Sequence, residues 1–124
     1  MNRVRTVVAL LVLAGAGVAA PFAISAIGAR SSTSSTVTIK VTASEWKFTL
    51  SRKSIAKAGT TVIFKVTNKG KIAHDFKIAG KKTSKLSPGK SATLKVTLSK
   101  GNHKYICTID SHASFGMKGT FKST

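Results

Sequence analysis

The residues with the clearest chemistry lie near the carboxyl end of the chain, in the run Cys107-Thr-Ile-Asp-Ser-His112-Ala-Ser-Phe-Gly-Met117. This run holds a thiol, an imidazole and a thioether, and a second imidazole, that of His74, lies 33 residues before Cys107. The whole chain has one Cys, three His and two Met, so its metal-binding side chains are concentrated here. Two imidazoles, a thiolate and a weak thioether are the donors of trigonal electron-transfer copper sites. The sequence therefore predicts one copper per chain.

Copper suits this donor set better than zinc does. Thiolate and imidazole bind both metals, but a structural zinc site usually has four strong ligands in a closed tetrahedron. The fourth donor here is a thioether, which is a poor ligand for zinc and a usual axial ligand for copper. The alternative interpretation treats Cys107 as a small buried side chain and Met117 as an ordinary core residue.

Residues 1–30 predict export. Arg3 and Arg5 give a basic start, and residues 7–27 are apolar or small except for Ser25. Such a segment is either a signal peptide or an N-terminal membrane anchor, and the sequence leaves both open. In both cases the basic start stays cytoplasmic. We therefore expect the rest of the chain to be periplasmic, extracellular or on the outer face of the cytoplasmic membrane.

Residues 31–36 form a Ser/Thr-rich linker, and the remainder, residues 37–124, is predicted to be one domain. Apolar and polar residues alternate over 37–41, 62–66 and 92–98, which is typical of strands with one face in a core. Residues 45–50 predict a further strand with Trp46 in the core. Turns containing Gly, Pro or Asn separate these runs. The pattern predicts an all-β fold, a β-sandwich of seven to eight strands.

With these elements in place, residues 37–124 resemble a cupredoxin, the blue-copper family that includes plastocyanin, azurin and plantacyanin. Three segments carry the resemblance, namely Glu45-Trp-Lys-Phe48, residues 68–76 and residues 105–119. The resemblance implies a Greek-key β-sandwich with the metal near one end. It also implies a ligand set of two imidazoles, one thiolate and one axial thioether, supplied by His74, His112, Cys107 and Met117.

The resemblance also points to residues around the ligands. Many members have Asn after the first His, whereas this chain has Asp75. A carboxylate accepts hydrogen bonds but does not donate them, so we expect Asp75 to accept one from Thr108 and to bridge the two ligand loops. Asn68 is expected in the same shell around the ligands. A nearby carboxylate should favour Cu(II) and lower the reduction potential.

The charge balance predicts anionic partners. The chain has 21 Lys and Arg against 3 Asp and Glu, a formal charge of +18. Arg3, Arg5 and Arg30 lie in the leader, so 18 basic residues remain against 3 acidic ones, a formal charge of +15. An acidic docking surface on a redox partner, a membrane or an anionic cell-surface polymer would all fit. Nucleic acid is disfavoured because the chain is exported and lacks base-stacking aromatic residues.

These observations predict a monomeric one-electron carrier that cycles between Cu(II) and Cu(I). One Cys is too few for a binuclear copper centre, and three His are too few for a multicopper oxidase. The four-donor site leaves no open position for a substrate, so we expect no enzymatic activity. The alternatives are a protein for copper storage, delivery or tolerance, and a metal-free interaction module. The resemblance implies an electron-exit surface made of His112, Ala113 and Phe115.

Overall fold

A computed structural model of the chain describes residues 33–124, together with Gly15, Gly17 and Gly28. The chain divides into two units, Met1–Ser31 and Ser32–Thr124. The predicted signal peptide or anchor, residues 1–30, lies outside the described residues apart from the three glycines. Within the described part, no helix has the length and apolar character needed to cross a membrane.

Residues 33–124 contain nine strands and no helix. Three of the strands have only two residues, which is why their number exceeds the predicted seven to eight. The all-β prediction is confirmed. The strands are β1 Thr36–Ser44, β2 Lys47–Leu50, β3 Ser54–Ile55, β4 Thr61–Asn68, β5 Lys77–Ile78, β6 Lys81–Lys82, β7 Ser91–Thr97, β8 Gly101–Ile106 and β9 Lys118–Ser123.

The strands form two mixed sheets. One has the order β2-β1-β4-β7, and the other has the order β3-β9-β8-β5-β6. In the first sheet β1 runs parallel to β4, from the pair Thr36 and Thr61 to the pair Ala43 and Asn68. The neighbours β4 and β7, like β8 and β9, are antiparallel. The connections that follow β1, β4 and β8 carry the residues of the candidate site.

The core follows from the alternation within the strands. In β1 the residues Ile39, Val41 and Ala43 are buried, while the Thr and Lys residues between them are more exposed. Three fully buried aromatic rings fill the space between the sheets, with Phe64 at 5.3 Å from Phe76 and at 5.5 Å from Phe121, measured between ring centroids. Burying one such side chain contributes about 1.5–3 kcal/mol. The sheet faces are thus fixed by a strict two-residue period.

The prediction for residues 45–50 was wrong at its start. Glu45 and Trp46 form the turn between β1 and β2, so β2 begins only at Lys47. Trp46 has φ 68° and its side chain is 39% exposed, so it does not lie in the core. A non-glycine residue rarely adopts this left-handed conformation. The reversal breaks the alternation that would otherwise have placed the indole on the inner face.

Candidate metal centre

Three connections meet at one end of the sandwich, here called the metal end. The β1–β2 turn carries Glu45, the β4–β5 connection carries His74, and the β8–β9 connection carries the run from Cys107 to Met117. They meet because the hydrogen-bonded strands β1 and β4 finish side by side, and because β9 begins where β8 finishes. The sheets therefore fix both ends of every connection that bears a candidate ligand.

The structure brings together three of the predicted ligands. One donor atom each from His74, Cys107 and His112 lies within 4.8 Å of the other two. The Nδ1 atoms of His74 and His112 are 3.2 Å apart, and Cys107 Sγ lies 3.4 Å from His112 Nδ1. Nitrogen and thiolate donors bound to one metal ion at about 2.0 and 2.3 Å lie roughly 3.3–3.7 Å apart. The observed spacing fits a single shared ion.

Met117 closes the inner side of this cluster. Its side chain is fully buried and packs with Cys107 and Ala43, and Phe48 and Ile109 line the same apolar group. The thioether therefore lies in a buried apolar group that also contains the candidate ligand Cys107. A soft donor in an apolar environment suits copper as a weak axial ligand and offers little to a hard cation.

Backbone hydrogen bonds hold the run from Cys107 to Met117 in shape. The amide of Cys107 donates to Met117 O at 3.0 Å, that of Met117 to His112 O at 3.1 Å, and that of His112 to Ile109 O at 3.1 Å. The run is thus closed on itself by its own main chain. These main-chain bonds therefore fix the relative positions of Cys107, His112 and Met117.

Asn68, which was predicted to lie near the ligands, holds the segment that leads to His74. Its fully buried side chain donates from Nδ2 to Ile72 O at 2.7 Å and to Leu86 O at 2.8 Å, and its Oδ1 accepts from the Gly70 amide at 2.8 Å. His74 and Leu86 exchange two backbone hydrogen bonds, of 3.0 and 2.8 Å. One buried amide side chain thereby fixes the position from which His74 reaches the site.

The structure contains the predicted link between Asp75 and Thr108. The Asp75 carboxylate accepts one hydrogen bond from the Thr108 amide at 2.6 Å and a second, short one from the Thr108 hydroxyl. Asp75 is 3% exposed and follows His74, while Thr108 follows Cys107. The carboxylate therefore ties the two ligand-bearing segments directly to each other.

A second carboxylate at the site is Glu45, which sequence reasoning missed. Its Oε1 atom lies 3.4 Å from His74 Nε2 and accepts hydrogen bonds from the amides of Lys71 at 2.6 Å and Ile72 at 3.1 Å. A Cβ at Gly70 would overlap this carboxylate, so a larger residue there would displace Glu45 from its present position. His74 Nε2 is buried and has no hydrogen-bond partner among the described residues. The Glu45 carboxylate, at 3.4 Å, is the charged group that faces it. Glu45 thus backs the ring whose Nδ1 faces the ligand cluster.

Burial shifts the pKa values of two candidate ligands in opposite directions. It raises the pKa of the Cys107 thiol and lowers the pKa of the His74 imidazole, the latter against the opposing effect of Glu45. The pKa of the Glu45 carboxyl falls from 4.5 to about 2, because its own backbone amide and that of Lys71 donate to it. Both shifts favour the uncharged forms of the Cys107 thiol and the His74 imidazole. A metal that binds there must displace the thiol proton.

Only the His112 side of the cluster approaches the surface. His112 is 6% exposed, and its ring is covered by Trp46, at 5.1 Å between centroids, which in turn contacts Phe115 at 4.8 Å. Phe115 is 62% exposed, and Ala113 is half-buried beside it. Trp46 therefore lies in the same exposed aromatic surface as Phe115 and covers the His112 ring. In the sequence, the position of Trp46 directly after Glu45, between two strands, could have indicated that its side chain lies outside the core.

The comparisons with known proteins agree with this geometry. A family model described as "Cupredoxin-like domain" matches residues 11–121, which is most of the chain. The chain belongs to that family. The resemblance seen in the sequence is thereby confirmed for this cupredoxin. A search of curated proteins found no match.

Solved structures share its fold. Auracyanin from Roseiflexus castenholzii has a TM-score of 0.59 and 20% identity, over 73% of this chain and 98% of auracyanin. Auracyanin A, a "blue" copper protein from Chloroflexus aurantiacus, has a TM-score of 0.60 and 17% identity, over 72% and 99% of the two chains. A multicopper oxidase also matches, with a TM-score of 0.57 and 18% identity, over 71% of this chain and 42% of the oxidase. This cupredoxin therefore has the β-sandwich fold of all three.

Proposed function

We propose that this cupredoxin is an exported one-electron carrier with a single type 1 copper site. The observation that carries the proposal is the buried cluster of His74, Cys107 and His112 with Met117 beside it, closed everywhere except at the His112 ring. Copper bound there would supply a Cu(II)/Cu(I) couple. The donor set, its spacing and its apolar surroundings all fit that ion.

The protein's own contribution is rigidity. Asn68, Asp75 and the main-chain bonds of the run from Cys107 to Met117 hold the donors in place, so the geometry changes little when the charge of the site changes. Preorganised ligands lower the reorganisation that accompanies electron transfer. Four donors from one chain also leave no coordination position for a substrate, so we propose no enzymatic role.

The surface around His112 is where a redox partner would dock. Trp46 and Phe115 form an exposed apolar patch, and Ile72, which is 40% exposed, borders the groove beside His112. With a formal charge of +15 outside the leader, the chain would be steered toward a partner that has an acidic docking surface. We propose that the monomer forms such transient complexes and that nucleic acid is not a partner.

A protein for copper storage, delivery or tolerance is the second candidate. The observation that favours it is the open groove next to His112, lined by Ile72, Ala73, Lys85, Ile109, Asp110 and His112, through which a second copper protein could approach the ligand. The buried position of the other three donors opposes it, because release of the ion would require the ligand loops to open. A metal-free interaction module is the weaker alternative, since the donor set is complete.

Titration of the purified chain with Cu(II), followed by visible absorption and electron paramagnetic resonance, tests the proposal. We expect one copper per chain and an intense charge-transfer band that reductant bleaches and that Cys107→Ser lacks. Electron self-exchange then separates the two candidates: fast exchange without loss of metal supports a carrier. Slow exchange together with ready copper transfer to a chelating protein would replace it with storage or delivery.

A further inference from the structure

The end of the sandwich opposite the metal end forms one connected surface, here called the base. It consists of residues 33–36, 52–60, 98–101 and 122–124. The Gly59 amide donates to Leu98 O at 2.8 Å, the Ala58 amide to Thr124 O at 2.9 Å, and the Thr61 amide to Ser35 O at 3.1 Å. These bonds join the β3–β4 connection to Leu98 and to Thr124, and the first residue of β4 to Ser35, just before β1. The base is therefore a fixed platform.

Its side chains are basic and exposed. Lys53, Lys57, Lys100 and Lys122 all lie there with their side chains in solvent. The three acidic residues of the whole chain, Glu45, Asp75 and Asp110, lie instead in the connections at the metal end. No acidic side chain therefore offsets the lysines of the base. This end presents exposed lysines with no acidic side chain among them.

Apolar groups show the opposite distribution. The large hydrophobic side chains that are exposed within the described residues are Trp46, Ile72 and Phe115, and all three belong to the metal end. A specific protein interface usually has an aromatic or apolar centre surrounded by a polar rim. The described residues of the base include exposed lysines but no large exposed hydrophobic side chain that could form such a centre. Its chemistry suits a layer of anionic headgroups better than a folded protein partner.

The chain itself leads from the base toward an apolar stretch. Ser35, whose hydroxyl lies 3.1 Å from that of Thr60, precedes β1 at this end. Residues 7–27 are apolar or small, and only seven residues separate that stretch from Ser35. The base is thus the part of the domain to which this apolar stretch is connected through the chain.

We propose that the base binds the anionic headgroups of a lipid bilayer, with the metal end directed away from the membrane. Lysines close to an anionic bilayer are attracted additively and within a screening length. This arrangement leaves Trp46, Phe115 and the His112 ring free for a redox partner. Binding of the base to lipid does not depend on whether copper or another metal occupies the site.

Lysine footprinting of the full chain tests the proposal, because lysines cover every face of the domain and act as built-in reporters. The chain is reconstituted into vesicles of phosphatidylcholine alone or with phosphatidylglycerol, acetylated briefly, and read by mass spectrometry. With phosphatidylglycerol we expect about fivefold slower acetylation at Lys57, Lys100 and Lys122, abolished by about 0.5 M salt. Lys69 and Lys71 at the metal end should be unaffected.

Two matched triple variants sharpen the test. Lys57→Glu, Lys100→Glu and Lys122→Glu together reverse the base. Lys40→Glu, Lys65→Glu and Lys95→Glu make the same charge change on the outer face of the four-stranded sheet.

Only the first triple variant should lose the phosphatidylglycerol-dependent protection, now read at Lys53, while both keep the thermal midpoint of the parent chain. Equal loss in both variants, or protection at Lys69 and Lys71 instead, would overturn the proposal. So would protection of the base by soluble polyglutamate together with none by vesicles, which would assign the surface to an anionic polymer.

Discussion

His74 and His112 belong to one cluster but have different surroundings. His74 is fully buried, its Nε2 faces the Glu45 carboxylate, and the segment before it is held by Asn68. His112 lies under the exposed Trp46 ring, at the edge of an open groove. The two Nδ1 atoms are nevertheless only 3.2 Å apart.

We infer from this difference that His74 keeps the metal position fixed, whereas His112 provides the contact through which electrons pass to a partner. A buried ring backed by a carboxylate has a fixed orientation and a stronger donor atom. The His112 ring is nearly buried but contacts the exposed Trp46, so we expect it to give the shortest route between the metal position and a docked protein. The following predictions test this division between His74 and His112.

The largest effect should come from removing each ring in turn. His74→Gly and His112→Gly should both abolish the charge-transfer band of the copper-loaded protein. We expect added imidazole to restore the band in His112→Gly, where the vacated space opens to the groove, and not in His74→Gly, where it is enclosed. Visible absorption during an imidazole titration measures the difference.

His103→Gly is the control for this pair. His103 lies on β8, bonded to Ser99 O at 2.8 Å and away from the cluster, so its removal should leave the band intact. Equal rescue of both ligand variants by imidazole would contradict the proposed division, because it would show that both rings are equally accessible.

Asp75 binds the two ligand segments together, so its loss should weaken both. Asp75→Ala removes two part-buried hydrogen bonds to a charged acceptor, those from the Thr108 amide and hydroxyl, and we expect about 1–3 kcal/mol less stability toward unfolding. Urea unfolding of the metal-free protein measures this. Asp75→Asn, which keeps one acceptor oxygen, should lose less; equal stability of Asp75→Ala and the parent would show that the bridge is dispensable.

Glu45 should act on His74 and on the potential of the copper site. Glu45→Gln removes a negative charge close to the ligand ring while keeping the size of the side chain. Since that charge favours Cu(II), we expect the reduction potential to rise by roughly 30–60 mV. Cyclic voltammetry measures the shift.

Asp110→Asn is the matched control, because it removes the same charge from an exposed position on the His112 loop. It should shift the potential less than Glu45→Gln does. If Asp110→Asn produced the larger shift, the contact between Glu45 and His74 would be irrelevant to the potential.

The smallest effect should come from the cover of His112. Trp46→Ala removes the indole that touches the ring, so we expect electron self-exchange to slow several-fold while the absorption band and the potential stay the same. Stopped-flow or nuclear-magnetic-resonance line-broadening measurements check the rate. Ile72→Ala, at the far side of the groove, serves as the control, and an equal decrease in both variants would indicate general loss of apolar docking area.

Much of this molecule could be predicted from local sequence. The alternation in residues 37–41, 62–66 and 92–98 predicted three strands that became the cores of β1, β4 and β7. That inference works because a two-residue period has only one way to bury its apolar face. The metal-binding residues could also be predicted, because a chain with one Cys and three His offers few other sets of ligands.

Glu45 and Trp46 were the failures, and they share a cause. Glu45 accepts a hydrogen bond from the amide of Lys71, which lies 26 residues later in the chain. No local sequence pattern connects the two residues. Trp46 continued an apparent alternation that a left-handed residue interrupts, and its carbonyl oxygen lies so close to Gly116 that a Cβ on that glycine would be only 3.1 Å away. Both residues owe their positions to the packing of one connection against another.

The sequence by itself therefore determined the strand faces, the donor types and the excess of positive charge, because each depends on residue identity and short-range period. Only the tertiary structure decided which carboxylates meet which ligands, which imidazole lies near the surface, and that the lysines of the base have no acidic neighbours. Those features depend on contacts between connections far apart in the chain. The parallel pairing of β1 with β4 is what brings them together.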